Sequence, residues 1–262
     1  MPTARVNGID IYYEDHGASA AGGPLVLTHG LGDCAELWAG LAEALSDRYR
    51  VVTWDMRGHY RTEAPADPAQ YTQDIVVEDL RALCDHLGIE RAVFGGHSLG
   101  GYTALRFHEK YPQRVVALVL HATGPGYRNP EASQGWTDRL ASAAAKQEER
   151  FGLDARVSAK ELRVGAPALG EVAQHIVRGI VNVERGVMAH PYFTDATKVD
   201  VPALVLVGEN DKAYLASAGY FESKLPDARS LTIAGAGHPA VLEQPAAVHA
   251  AVRDFLDGLD LS

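Results

Sequence analysis

"GGHSLGGYT", residues 95–103, sets one serine, Ser98, between two pairs of glycines. Glycine is used where a Cβ will not fit. The stretch before the serine, "AVFGG" (92–96), is a short apolar run ending in glycine, as buried strands do, and residues 99–111 carry a helical pattern. A strand that reverses into a helix within a few residues strains the residue at its tip, and side chains two before and two after would collide. Gly96 and Gly100 hold those two positions. The turn lifts the Ser98 hydroxyl out of the sheet and sets it at a helix N-terminus, where free N–H groups and the helix dipole favour negative charge. A glycine-rich turn with an incidental serine has the same G-x-S-x-G spelling, so the surroundings must decide between the two.

Working outward, the chain alternates strand-like and helix-like segments. "IDIYYED" (9–15) alternates like a partly exposed strand. "PLVLTHG" (24–30), "RVVTWDMRG" (50–58), "VVALVLHATG" (115–124), "PALVLVGEND" (202–211) and "RSLTIAGAG" (229–237) contain apolar runs that end at glycine or turn residues. Helical patterns fit 71–88, 99–111, 214–225 and 240–257. Apolar strands separated by amphipathic helices predict an α/β fold with a parallel sheet covered on both faces. Ligands of such sheets bind at the carboxyl ends of the strands. From about 124 to 199 no clear strand is expected, only helical patterns, which predicts a helical insertion placed to cover that rim.

A serine hydroxyl needs a base, and the base needs a carboxylate to hold its tautomer. His238, in "AGAGHPAVLEQP", lies in a glycine-rich loop after the last predicted strand, and Asp211 closes "LVLVGEND" after the one before it. Both loops face the rim of Ser98, and Glu209 is the nearby competitor for the acid. No carboxylate ends the strand 115–121. Of the other histidines, His16, His86, His175 and His249 read as surface or core residues, His97 as projecting away from the Ser98 hydroxyl, His108 as lying down the helix and His29 as structural. The loop "THGLGD" (28–33) can aim backbone N–H groups at a bound oxygen, so the oxyanion donors are expected to be the N–H groups of Leu31 and Leu99.

Composition bounds the function classes. The 262 residues are 47% hydrophobic and 22% charged, ordinary for a globular chain. The net charge of −10 and the lack of any basic run argue against nucleic acid. No segment approaches the roughly 18–20 apolar residues of a membrane helix, and "MPTARVNGIDIYYEDHG" lacks a signal-peptide core. No membrane association and a cytoplasmic location are the expectation. Cys34 and Cys84 match no metal or redox spacing and read as reduced thiols. The 11 histidines form no ligand motif. Neither a metal nor a cofactor is expected, and the sequence leaves open whether the chain forms a homo-oligomer.

With "HGLGD", "DMRGHYRTEAP", "GHSLGG", "GEND" and "GAGH" in this order, the sequence resembles the α/β-hydrolase superfamily, most strongly over 24–126 and 200–257. Within it the chain is similar to capped serine esterases, enol-lactone hydrolases and cofactor-free haloperoxidase-like enzymes. The resemblance implies an eight-stranded, mostly parallel sheet flanked by helices, with a helical lid inserted after the sixth strand. That gives a core of residues 1–126 and 200–262 and a cap of 127–199. A serine at 98, where epoxide-opening and dehalogenating relatives carry aspartate, argues against those activities. Tyr60 departs from the usual R-G-H-G-x-S. The expected function is hydrolysis of small, partly apolar esters or lactones through an acyl-enzyme on Ser98, with Asp211 and His238 completing the triad. Substrate contacts are expected from Gly30, Trp38, Tyr127, Trp136 and Tyr192. The alternatives are carbon–carbon hydrolysis, acyl transfer or perhydrolysis by the same triad, and a non-catalytic small-molecule-binding member of the fold.

Overall fold

The computed structural model describes residues 2–260. In chain order the strands are β1 (Thr3–Val6), β2 (Ile9–His16), β3 (Gly22–Thr28), β4 (Tyr49–Trp54), β5 (Ala92–His97), β6 (Val115–His121), β7 (Arg156–Ser158), β8 (Gln174–Ile176), β9 (Ala203–Gly208) and β10 (Ala228–Ile233). The helices are α1 (Ala39–Leu45), α2 (Gln73–His86), α3 (Leu99–Lys110), α4 (Pro130–Phe151), α5 (Ala159–Leu162), α6 (Val177–Asn182), α7 (Leu215–Lys224), α8 (Ala240–Glu243) and α9 (Pro245–Asp257). Eight strands form one sheet in the order β1-β2-β4-β3-β5-β6-β9-β10. β2 pairs antiparallel with β1 and β4, and every other neighbouring pair is parallel.

Alternation along the central strands supplies two apolar layers. Leu25, Leu27, Val51, Val93, Val119, Leu204 and Leu206 pack with Leu41 and Leu45 of α1 and Val252 and Phe255 of α9. Val26, Val52, Phe94, Leu118, Leu120, Val205 and Val207 pack with Leu80 and Leu83 of α2, Phe107 of α3 and Phe221 of α7. The central strands therefore read as continuous apolar runs, because both of their faces are buried. β1 escapes a pattern reading: it has four residues, of which Thr3 and Arg5 are exposed.

Residues 122–202, between β6 and β9, cross the carboxyl edge of the sheet. Here the expectation of no strand fails. β7 and β8 pair antiparallel, with Val157 opposite His175. Three residues per strand are too few to show a period of two. The segment carries a small core of its own, Ala144, Val157, Leu162, Val177, Ile180 and Val181, joined by Leu31 from the loop after β3. Polar bonds pin it to the sheet. Ala166 N donates to Asp33 Oδ1 at 2.6 Å, and His175 bridges Gly32 O at 3.0 Å and Tyr60 N at 3.0 Å. Tyr60 keeps a left-handed backbone, φ 34°, at roughly 1–2 kcal/mol of strain for a residue with a Cβ. Its bond to His175 and the Arg61 guanidinium 4.6 Å over its ring hold it there.

The rings of His29, His59 and His175 form a buried row across this seam, with centroids 4.8 and 5.5 Å apart. Burial lowers all three, His175 to about 4. One buried acid lies in the same segment. After α6 the chain makes a wide π-helical turn, Val183–Val187, which turns Glu184 inward. Its Oε1 accepts from Gln147 Nε2 at 3.4 Å, and its Oε2 is buried without a partner among the described residues.

Burial raises the Glu184 carboxyl from 4.5 to about 7. Between those values the folded chain holds a proton that the unfolded chain releases, so this group's contribution to stability falls as pH rises through that window. Glu184→Gln is expected to gain up to about 3 kcal/mol over the wild type at pH 8 and little at pH 4.5. Paired denaturation curves at the two pH values measure this, and an equal gain at both would contradict it.

Candidate active site

Ser98 caps α3 directly after β5 with φ 53° and ψ −114°. The strained tip is held on both sides of its peptide plane. Ser98 N donates to His121 O at 2.9 Å, and Ser98 O accepts from Tyr102 N at 3.1 Å and Thr123 Oγ1 at 2.7 Å. The flanking glycines are required by close approach: a Cβ on Gly96 would lie 2.3 Å from Gly100 C, and one on Gly100 would lie 2.1 Å from Thr28 O.

Asp211 follows β9 and His238 follows β10, so both come from the carboxyl edge. His238 Nδ1 lies 2.7 Å from Asp211 Oδ2, with the carboxylate side chain 5% exposed and the imidazole 38%. The bond fixes Nδ1–H toward the acid and leaves Nε2 free for chemistry. Glu209 does something else: its Oε2 accepts from Gly235 N at 2.9 Å, bracing the loop that carries His238. His29 bonds backbone groups through both ring nitrogens, Gly30 O at 2.7 Å and Met56 N at 2.9 Å.

Two residues that the sequence did not single out as contributors support the histidine. His97 Nε2 donates to the His238 carbonyl oxygen at 3.1 Å, and the two rings sit 4.4 Å apart. Burial lowers His97 against the opposing pull of Asp33, whose Oδ2 is 3.6 Å from Nδ1. Burial also pushes Asp33 up, but His97 and the Ala166 N–H outweigh it and hold the carboxylate low. His97 thus points away from Ser98 into a strut joining the His238 loop, the loop after β3 and the inserted segment. The second residue is Tyr214, which stacks on His238 at 4.9 Å and 20°. The available clue was a tyrosine three residues beyond Asp211, in the same rim-facing turn.

Two cavities meet at Ser98. The larger, about 600 Å³, is lined by Leu99, Tyr127, Trp136 and Tyr214, with Arg139 as its one charged wall residue. The smaller, about 300 Å³, is lined by Gly30, Leu31, Leu140 and His238. Ser98, Trp136, Met188 and Tyr214 belong to both. Two expected substrate contacts lie elsewhere. Trp38 is 1% exposed and packed in the core with Leu37 and Leu41, its ring 6.1 Å from His121. Tyr192 is 67% exposed; its carbonyl, rather than its ring, meets the site by accepting from Tyr102 Oη at 2.9 Å. Among the described residues, Cys34, Glu36 and Asp55 bring three potential ligand atoms within 4.8 Å. Both carboxylates there are already engaged by Arg61, at 2.6 and 2.8 Å. No helix of the described residues is long and apolar enough to cross a membrane.

Residues 23–245 match the sequence pattern of the family described as alpha/beta hydrolase fold. The chain is 29% identical to a protein of Bacillus subtilis (strain 168), over 97% of each chain, whose name marks it provisionally as a 2-succinyl-6-hydroxy-2,4-cyclohexadiene-1-carboxylate synthase. Among solved structures it is similar to a thermophilic esterase from Thermogutta terrifontis (TM-score 0.80, 26% identity, 98% of each chain). It is also similar to the enol-lactonase from Burkholderia xenovorans LB400 (TM-score 0.78, 27% identity, 98% of this chain and 100% of that one).

The contrast between the two carboxylates is testable. Asp211→Asn is expected to keep the fold and lower turnover by on the order of 10⁴, because Nδ1 loses the acceptor that sets its tautomer. Glu209→Gln should stay near wild type. Steady-state kinetics beside melting curves of both variants would reassign the acid if the order were reversed.

Proposed function

The chain belongs to the alpha/beta hydrolase fold family, and we propose that it is a serine hydrolase cleaving carboxylic esters or lactones of small, partly apolar substrates. The observation that carries this reading is the 2.7 Å bond between His238 and Asp211, on a histidine that shares a cavity wall with Ser98. Ser98 Oγ attacks the carbonyl carbon while His238 Nε2 takes its proton. Asp211 stabilises the imidazolium, and the N–H groups of Leu31 and Leu99 receive the oxyanion. His238 passes the proton to the departing alcohol. A water then loses a proton to His238 and attacks the acyl carbon, Ser98 Oγ leaves and recovers that proton, and the acid is released. The chemistry needs no metal and no cofactor.

Two unequal cavities flanking one nucleophile suit a substrate with two unequal halves, the acyl group in the larger and the alcohol in the smaller. Similarity to an esterase and an enol-lactonase supports the same bond class. A second reading changes only the acyl group. Arg139 lies on the larger cavity with its guanidinium 5.4 Å from the Trp136 ring, and it is the one charged residue lining that cavity. That favours a lactone or ester whose acyl part carries a carboxylate.

A serine-directed phosphonate should label Ser98 alone, and Ser98→Ala should lose both labelling and turnover; an adduct elsewhere would sink the assignment. Across acetate, butyrate, hexanoate and decanoate esters, kcat/KM should rise by up to about fourfold per methylene over the first carbons and then fall as the cavity fills. Preference for a carboxylated lactone, lost in Arg139→Gln, selects the second reading. Chelator should leave every rate unchanged.

A further inference from the structure

Tyr214 stacks on the reacting histidine and lines both cavities beside Ser98. The turn that sets Asp211 also sets Tyr214, since Tyr214 N donates to Asp211 O at 3.0 Å. From there the ring covers the His238 imidazole, planes 20° apart with centroids at 4.9 Å. Tyr214 also lines both cavities, so nothing bound across Ser98 avoids it. Burial raises its phenol above the ordinary tyrosine value, against a smaller pull from Ser98, so the group stays a protonated donor at neutral pH.

We propose that Tyr214 is a further catalytic residue, whose hydroxyl donates a hydrogen bond to Ser98 Oγ and whose ring walls the face of His238. This rests on Ser98 being the nucleophile. In acylation the Oγ–C bond forms as the Oγ proton passes to His238, and the alcohol departs with that proton. In deacylation the water oxygen bonds to the acyl carbon and its proton passes to His238. The C–Oγ bond then breaks with its electron pair on Oγ, and His238 returns the proton there. Tyr214 keeps its own proton throughout. Its hydrogen bond strengthens as charge builds on Oγ, and that charge is greatest when Oγ is the leaving group. A p-nitrophenolate leaves without help, so with activated esters the hydroxyl matters more to deacylation than to acylation.

Rapid-quench intact-mass measurement of the acyl-enzyme, beside stopped-flow release of p-nitrophenol, separates the two steps. Tyr214→Phe keeps the ring stack and removes the donor. Its acyl-enzyme is expected to decay more slowly, on the order of tenfold, with the acylation rate changed far less. Tyr214→Leu should lose more in both steps, and melting curves report whether each variant is folded. A Phe variant matching wild type in both steps, or slowed equally in both, overturns the proposal. If the wild type carries no acyl group on Ser98 during turnover, the nucleophile assignment itself fails, an outcome distinct from a normal Phe variant.

Discussion

The contact that the rest of the site depends on is backbone against backbone, where Gly96 and Gly100 meet across the turn at Ser98 and Gly100 meets Thr28 O. These approaches leave no room for one methyl group. They force β5 into α3 with no intervening loop, and that abruptness turns the Ser98 side chain outward with φ at 53°. A strained residue persists only where its surroundings over-determine it. Here the donors and acceptors are His121 O, Tyr102 N and Thr123 Oγ1, drawn from β6, α3 and the segment after β6. The neighbouring strand and helix thus hold the hydroxyl in position before any ligand arrives.

Around this point the site is assembled from loops, yet the loops are tied to one another by polar bonds. Glu209 braces the turn before His238, His97 holds the His238 carbonyl, and Asp33 ties the loop after β3 to Ala166. His97 and Asp33 are buried and expensive to leave unpaired, so their bonds favour one arrangement of the loops over alternatives. Preorganisation is therefore spread over several elements instead of residing in the triad.

Much of this was legible in the residues. The central strands announce themselves because two-sided burial makes them unbroken apolar runs, and "GGHSLGG" declares its own geometry because only glycine fits. Asp211 and His238 could be paired from topology, since both follow strands whose ends share one rim. What could not be read depends on contacts between distant segments. His97 and Tyr214 act through where their rings land against His238, and no local pattern encodes that. Trp38 has the size of a pocket residue, but Leu37, Leu41 and Leu45 around it put it in the core. The short β7–β8 pair is held largely by His175 reaching Gly32 and Tyr60, which lie more than a hundred residues earlier.

The row of His29, His59 and His175 makes this seam a place where acid works against the folded chain, as it does at the equally buried His97 and His121. Burial disfavours the charged form of each ring, so each favours the folded chain less as pH falls below the ordinary imidazole value. Glu184, raised to about 7, works the other way, its bound proton favouring the folded chain as pH falls. Acid therefore weighs at once on the union of insert and sheet and on the ends of β5 and β6 beneath it.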